Sequence, residues 1–71
     1  MAGVTAEEYI ARFAAALGRP APTREEFQAI LKLASVAAHA SERKAAPVAC
    51  WLAATTGTDL DDARRIAEGL V

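Results

Sequence analysis

Apolar residues along this chain recur at steps of three and four, in four runs separated by short breaks rich in glycine, proline or charge. That period belongs to amphipathic helices. The first run, Tyr9, Ile10, Phe13, Ala16 and Leu17, follows Thr5-Ala6-Glu7-Glu8. In that tetrad Thr5 can accept from the Glu8 amide while the Glu8 carboxylate reaches back to the Thr5 amide, a capping box. Gly18 supplies a stop, and Arg19-Pro20-Ala21-Pro22 a stiff connection. Thr23-Arg24-Glu25-Glu26 repeats the device ahead of Phe27, Ile30, Leu31, Ala34 and Ala38, with Leu33 and Ala37 beside them. A stripe that wide predicts contacts on two sides, hence a central helix. After a break at Ser41 to Ala46, Pro47 suits the first position of a third helix, where its missing N–H costs nothing. Val48, Trp51, Leu52 and Thr55 are the expected inner face, and Gly57 the stop. A fourth helix opens on Thr58-Asp59-Leu60-Asp61 and carries Leu60, Ala63, Ile66, Ala67 and Leu70.

The pattern therefore predicts an all-α protein, a compact bundle of four short helices near 6–17, 24–39, 46–56 and 59–69, forming one domain over residues 1–71. Strand-like alternation is absent and β-branched residues are sparse.

Composition changes the picture at the core. The chain is 54% hydrophobic, but much of that is alanine, which favours helices yet buries little area. The larger residues are expected to carry the core: Tyr9, Ile10, Phe13, Leu17, Phe27, Ile30, Leu31, Leu33, Val36, Val48, Trp51, Leu52, Leu60, Ile66 and Leu70. At 71 residues such a core leaves a small stability margin. A single cysteine cannot form an internal disulfide, and one Cys with one His falls short of a structural zinc site. Tight helix packing, self-association or a protein partner must make up the difference.

Charge excludes some functions. The net charge is −1, and the basic pairs Arg43-Lys44 and Arg64-Arg65 lie beside acids, so a nucleic-acid partner is not expected. A helix-turn-helix at helices 2 and 3 fails for a related reason: Pro-Val-Ala-Cys-Trp offers no polar base-reading side chains. No apolar run approaches the ~20 residues of a membrane span. The start lacks the features of a signal peptide, and a free thiol suits a reducing compartment. The expectation is a cytoplasmic protein with no membrane partner.

Candidate chemistry is thin. His39 with Glu42 could form a base–carboxylate pair, but no nucleophile stands at a recognisable spacing. A histidine at a helix C-terminus, meeting its carbonyls, is the preferred reading. Cys50 lies mid-helix, away from anything that lowers a thiol pKa, and reads as a small inert hydrophobe. Trp51 reads first as a core plug among alanines and second as a partner anchor. Glu7-Glu8, Glu25-Glu26 and Asp59-Asp61-Asp62 all fall in first helical turns, where acids complement the helix dipole; no metal or cofactor is expected there. Ser35, Thr55 and Thr56 carry no hydrolase or kinase motif. The residues left as candidates for a partner or ligand are His39, Glu42, Arg43, Lys44 and Trp51.

The segment LASVAAHASERKAAPVACWLA, with Ala38-His39, Glu42-Arg43 and Ala45-Ala46-Pro47, resembles a small-domain family common in actinobacteria. Glu8-Tyr9-Ile10 and Ala14-Ala15-Ala16-Leu17-Gly18 are similar to its first helix, so the resemblance covers nearly the whole chain. It departs from the family at Lys44, where a proline is common, and at Cys50-Trp51. That family is of unknown function and is similar to tails of molybdenum-cofactor guanylyltransferase-like (MobA-like) proteins and to small proteins encoded near formate dehydrogenase-like molybdoenzymes. The resemblance implies an accessory role there and names no catalytic residue. The functional expectation is a non-catalytic interaction module, or a small subunit. The alternative is a small-ligand binder or enzyme using His39, Glu42 and Arg43.

Overall fold

Each helix start is written into the chain by a local hydrogen bond. The computed structural model describes residues 3–71. At Thr5 and Thr23 both halves of the capping box are made: Glu8 and Glu26 amides donate to the threonine hydroxyls at 3.1 Å, and the carboxylates accept from the Thr5 and Thr23 amides at 2.9 and 2.8 Å. These boxes open α1 (Ala6–Ala16) and α2 (Arg24–Ala40). Asp59 opens α4 (Leu60–Glu68) by accepting from the Asp61 and Asp62 amides. The third helix, α3 (Ala45–Thr56), has no side-chain cap. It grows from a turn in which the Ala45 and Ala46 amides donate to the Glu42 and Arg43 carbonyls. It therefore starts before Pro47, which sits in the first turn rather than at its first position. Gly57, at φ 69°, ends α3 in the left-handed conformation that glycine adopts without steric cost.

The helices form an all-α bundle with no strand among the described residues. As its wide stripe predicts, α2 is the hub, packed against both α3 and α4. The connection at 41–44 folds α3 back along α2, which places Cys50 Sγ 3.9 Å from the Ile30 carbonyl oxygen. On the α4 side, Lys32, Ser35 and Val36 share a shallow cleft with Arg64 and Glu68. No comparable packing ties α1 to any helix. It rests through Ile10, which lines a small hollow with Pro22, Phe27, Ile30 and Leu31.

The core differs from the expected one. Only Leu33 and Ala53 are fully buried. Tyr9, Phe13, Leu17, Leu31, Val48, Trp51, Leu52, Ile66 and Leu70 are all exposed. The largest correction concerns α3, whose expected inner face of Val48, Trp51, Leu52 and Thr55 points outward; Trp51 is 64% exposed and plugs no core. The face toward α2 is instead the small one, with Ala46, Ala49 and Cys50 half-buried around buried Ala53. The physical reason is that α3 carries no charged residue. Both of its faces are apolar, so periodicity does not orient it. Small side chains let α3 lie close against α2, whereas Trp51 would hold the two helices apart.

Candidate functional site

The sequence candidates sit together in the chain but do not assemble into a reactive cluster. His39, in the last turn of α2, turns its Nδ1 back one turn to the Ser35 carbonyl oxygen at 2.8 Å, with Ser35 Oγ at 3.2 Å. A proton on Nδ1 satisfies that carbonyl and leaves Nε2 as the acceptor. The partner is a carbonyl within the helical ladder, not one of the free C-terminal carbonyls that the sequence suggested. No hydrogen bond joins His39 to Glu42. Glu42 instead faces Lys44 at 3.8 Å, both side chains well exposed, and such a pair contributes ~0–1 kcal/mol. Arg43 and Trp51 are exposed.

The hollows of the surface lie elsewhere. One of about 610 Å³ runs between the Arg19–Pro22 connection and the α2–α3 seam, lined by Arg19, Pro20, Glu26, Ile30, Cys50 and Leu60 among others. A second, of about 430 Å³, lies between α1 and the start of α2, beside Glu7, Ile10, Thr23 and Phe27. Neither includes His39, Glu42, Arg43, Lys44 or Trp51. The carboxylate of Glu26 is held by the Thr23 amide. Cys50 is half-buried, and loss of solvent raises its thiol pKa above the usual 9.0, so it carries little of the thiolate that nucleophilic or metal chemistry needs. Arg64 gives its guanidinium to both Glu68 oxygens at 3.1 Å, and its Nε is buried without a partner. Arg65 pairs with Asp62. The Thr55 and Thr56 hydroxyls donate to the Leu52 carbonyl at 3.1 and 2.9 Å. Among the described residues, no three of His, Cys, Asp and Glu gather to hold a metal.

What the surface does present is apolar. On α3, Val48, Trp51 and Leu52 stand at steps of three and one, 57%, 64% and 51% exposed. On α1, Tyr9, Phe13 and Leu17 form a second exposed stripe at four-residue steps. Burying a large side chain is worth ~1.5–3 kcal/mol, so leaving six in water forgoes a large stabilisation for a chain this small. Scattered apolar residues are ordinary on a surface, but these are ordered rows on single helix faces. Of the sequence candidates, Trp51 is the one large apolar side chain left exposed, with Val48 and Leu52 exposed beside it. The α1 stripe was visible in the sequence as a periodicity, but it read as core.

A domain of unknown function (DUF6457) matches residues 1–70. The chain belongs to the DUF6457 family. That agrees with a resemblance to a family of unknown function, but nothing in the match links DUF6457 to MobA-like proteins or to actinobacteria. No curated protein and no solved structure is similar enough to match. No helix of the described residues is long and apolar enough to cross a membrane, so the exposed rows on α1 and α3 belong to no helical span.

Proposed function

We propose that this DUF6457 domain is a non-catalytic protein-interaction module whose contact surface centres on Trp51. One observation carries this reading: α3 is apolar around its whole circumference, yet only its small-residue face is covered. A helix apolar on every side belongs in an interior, and an accessible tryptophan flanked by aliphatic residues is the typical centre of a protein contact. Arg43 and Lys44, just before α3, supply a polar rim.

The setting we propose is accessory to molybdoenzymes, in cofactor maturation or as a small subunit. It is supported by the resemblance carried by Ala38-His39, Glu42-Arg43 and Ala45-Ala46-Pro47. The ligand-binding alternative would require His39, Glu42 and Arg43 to act from an open surface, and no observation favours it.

Affinity capture with three baits tests the contact. The wild-type domain and His39→Gln should retain the same protein, and Trp51→Lys should lose it. A partner held equally by Trp51→Lys would move the contact off α3. Loss with His39→Gln alone would restore the ligand reading. Deleting the coding sequence should lower formate dehydrogenase-like molybdoenzyme activity while molybdenum-independent dehydrogenases keep theirs; unchanged activity would remove the molybdenum setting.

A further inference from the structure

We propose that the partner of the Trp51 face is a second copy of this chain, with α1 of each copy laid along α3 of the other. This rests on the interaction-module reading and names its occupant.

Area is the first argument. A folded monomer of 7.4 kDa is expected to expose about 4,200 Å², whereas this chain exposes 5611 Å². The excess, about 1,400 Å², is larger than the area one partner contributes to an ordinary interface. Tyr9, Phe13, Leu17, Val48, Trp51 and Leu52 together expose on the order of 800 Å², given ~150–250 Å² for each aromatic. That equals the roughly 800 Å² each partner contributes to an ordinary stable interface.

Complementarity is the second. Both stripes are without a counterpart in their own chain; the α1 stripe spans about two turns and the α3 stripe about one. With the two helices parallel, Tyr9 comes beside Val48 and Phe13 beside Leu52. The same register sets acidic Glu7 opposite Ala46, within one helical turn of Arg43 and Lys44. The reverse direction carries Glu7 to the other end of α3, away from both basic residues. Each copy offers one α1 and one α3, so two identical contacts close under a twofold axis and leave no free end. A net charge of −1 sets no long-range repulsion against that encounter.

Sedimentation equilibrium from ~1 to 100 μM tests this, with circular dichroism as the check on folding. The wild type should be a dimer, and the emission of its sole tryptophan should shift to the blue as concentration rises. Trp51→Lys and Phe13→Glu should each stay helical and weaken dimerisation by roughly 30-fold or more, as loss of a central aromatic anchor does. The mixture of the two variants is the decisive arm. A crossed α1–α3 pairing leaves one wild-type contact and one Glu–Lys contact, so the mixture should recover dimer that neither variant forms alone. A wild type that is monomeric throughout would overturn the proposal. So would dimers indifferent to either substitution, or variants whose mixture fails to recover. A monomer whose Trp51 face still captures a different protein would end the self-pairing while the interaction-module reading stands.

Discussion

Leu33→Ala and Trp51→Ala should differ sharply, in the order opposite to side-chain size. Leu33 is 2% exposed and lies on α2 between α3 and α4. Trimming it to alanine removes about three methylene equivalents, worth about 2.4 kcal/mol of transfer. The void left between three helices adds to that, within the 2–5 kcal/mol known for such changes. A chain of 71 residues is expected to hold only about 4–11 kcal/mol in total. A loss near 3 kcal/mol should lower Tm by roughly 12–24 °C. Trp51 is 64% exposed, and its truncation in the monomer should cost no more than ~0.5 kcal/mol. The assay is urea and thermal unfolding followed by far-UV circular dichroism below ~1 μM, where association is slight. The slope of free energy against urea should stay the same across the variants. If Trp51→Ala costs as much as Leu33→Ala under these conditions, α3 turns its bulky face inward, and the surface argued for above does not exist.

The capping boxes give a paired test: Thr23→Ala should cost about 1 kcal/mol of global stability. Thr5→Ala should mainly speed amide exchange within α1, since that helix has little packing to report through. Because burial raises the Cys50 thiol pKa above 9.0, the folded state holds that proton more tightly than the unfolded chain. Its share of stability is therefore whole below pH 9 and falls as pH rises through the thiol range. Urea titrations at rising pH should show this extra fall in the wild type and not in Cys50→Ala. Alkylation of Cys50 at neutral pH should likewise be slow until the protein is unfolded. His39→Gln should cost a few tenths of a kcal/mol, since the Ser35 carbonyl contact is local and exposed; a multi-kcal loss would mean that the ring has a further partner.

Local chemistry made the helices legible and left their rotation hidden. Thr5/Glu8, Thr23/Glu26, Gly18, Gly57 and Asp59 act within a few residues of themselves. Boundaries read from them fall within a residue of the observed ones. The hub role of α2 was legible too, because its apolar stripe is wide enough to meet helices on two sides. On α3 the stripe is unbounded: Ala45 to Thr56 holds no charge, and ranking by size put Val48, Trp51 and Leu52 inside. The choice between its faces is made by how closely α2 can approach, a property of the pair of helices. The candidate site followed the same division. The bond from His39 to Ser35 lies within one turn, but its partner is a ladder carbonyl and not the free helix-end carbonyl that the sequence suggested. The accessibility of Trp51 depends on packing between helices, and there the core reading failed.

The small face of α3 inverts the usual map of tolerated substitution. In most domains the bulky apolar positions resist change and the alanines are interchangeable. Here Ala53 is 7% exposed and borders the hollow at the α2–α3 seam, so a bulkier side chain there crowds the seam, whereas position 51 faces nothing in its own chain. Trp51, the largest residue in the chain, can vary without disturbing the fold. Among relatives that share this packing, the alanine spacing of 46, 49 and 53 should stay fixed while position 51 drifts with whatever it touches. A deep mutational scan scored for folding alone would recover the alanines, and only a scan scored for association would recover the tryptophan.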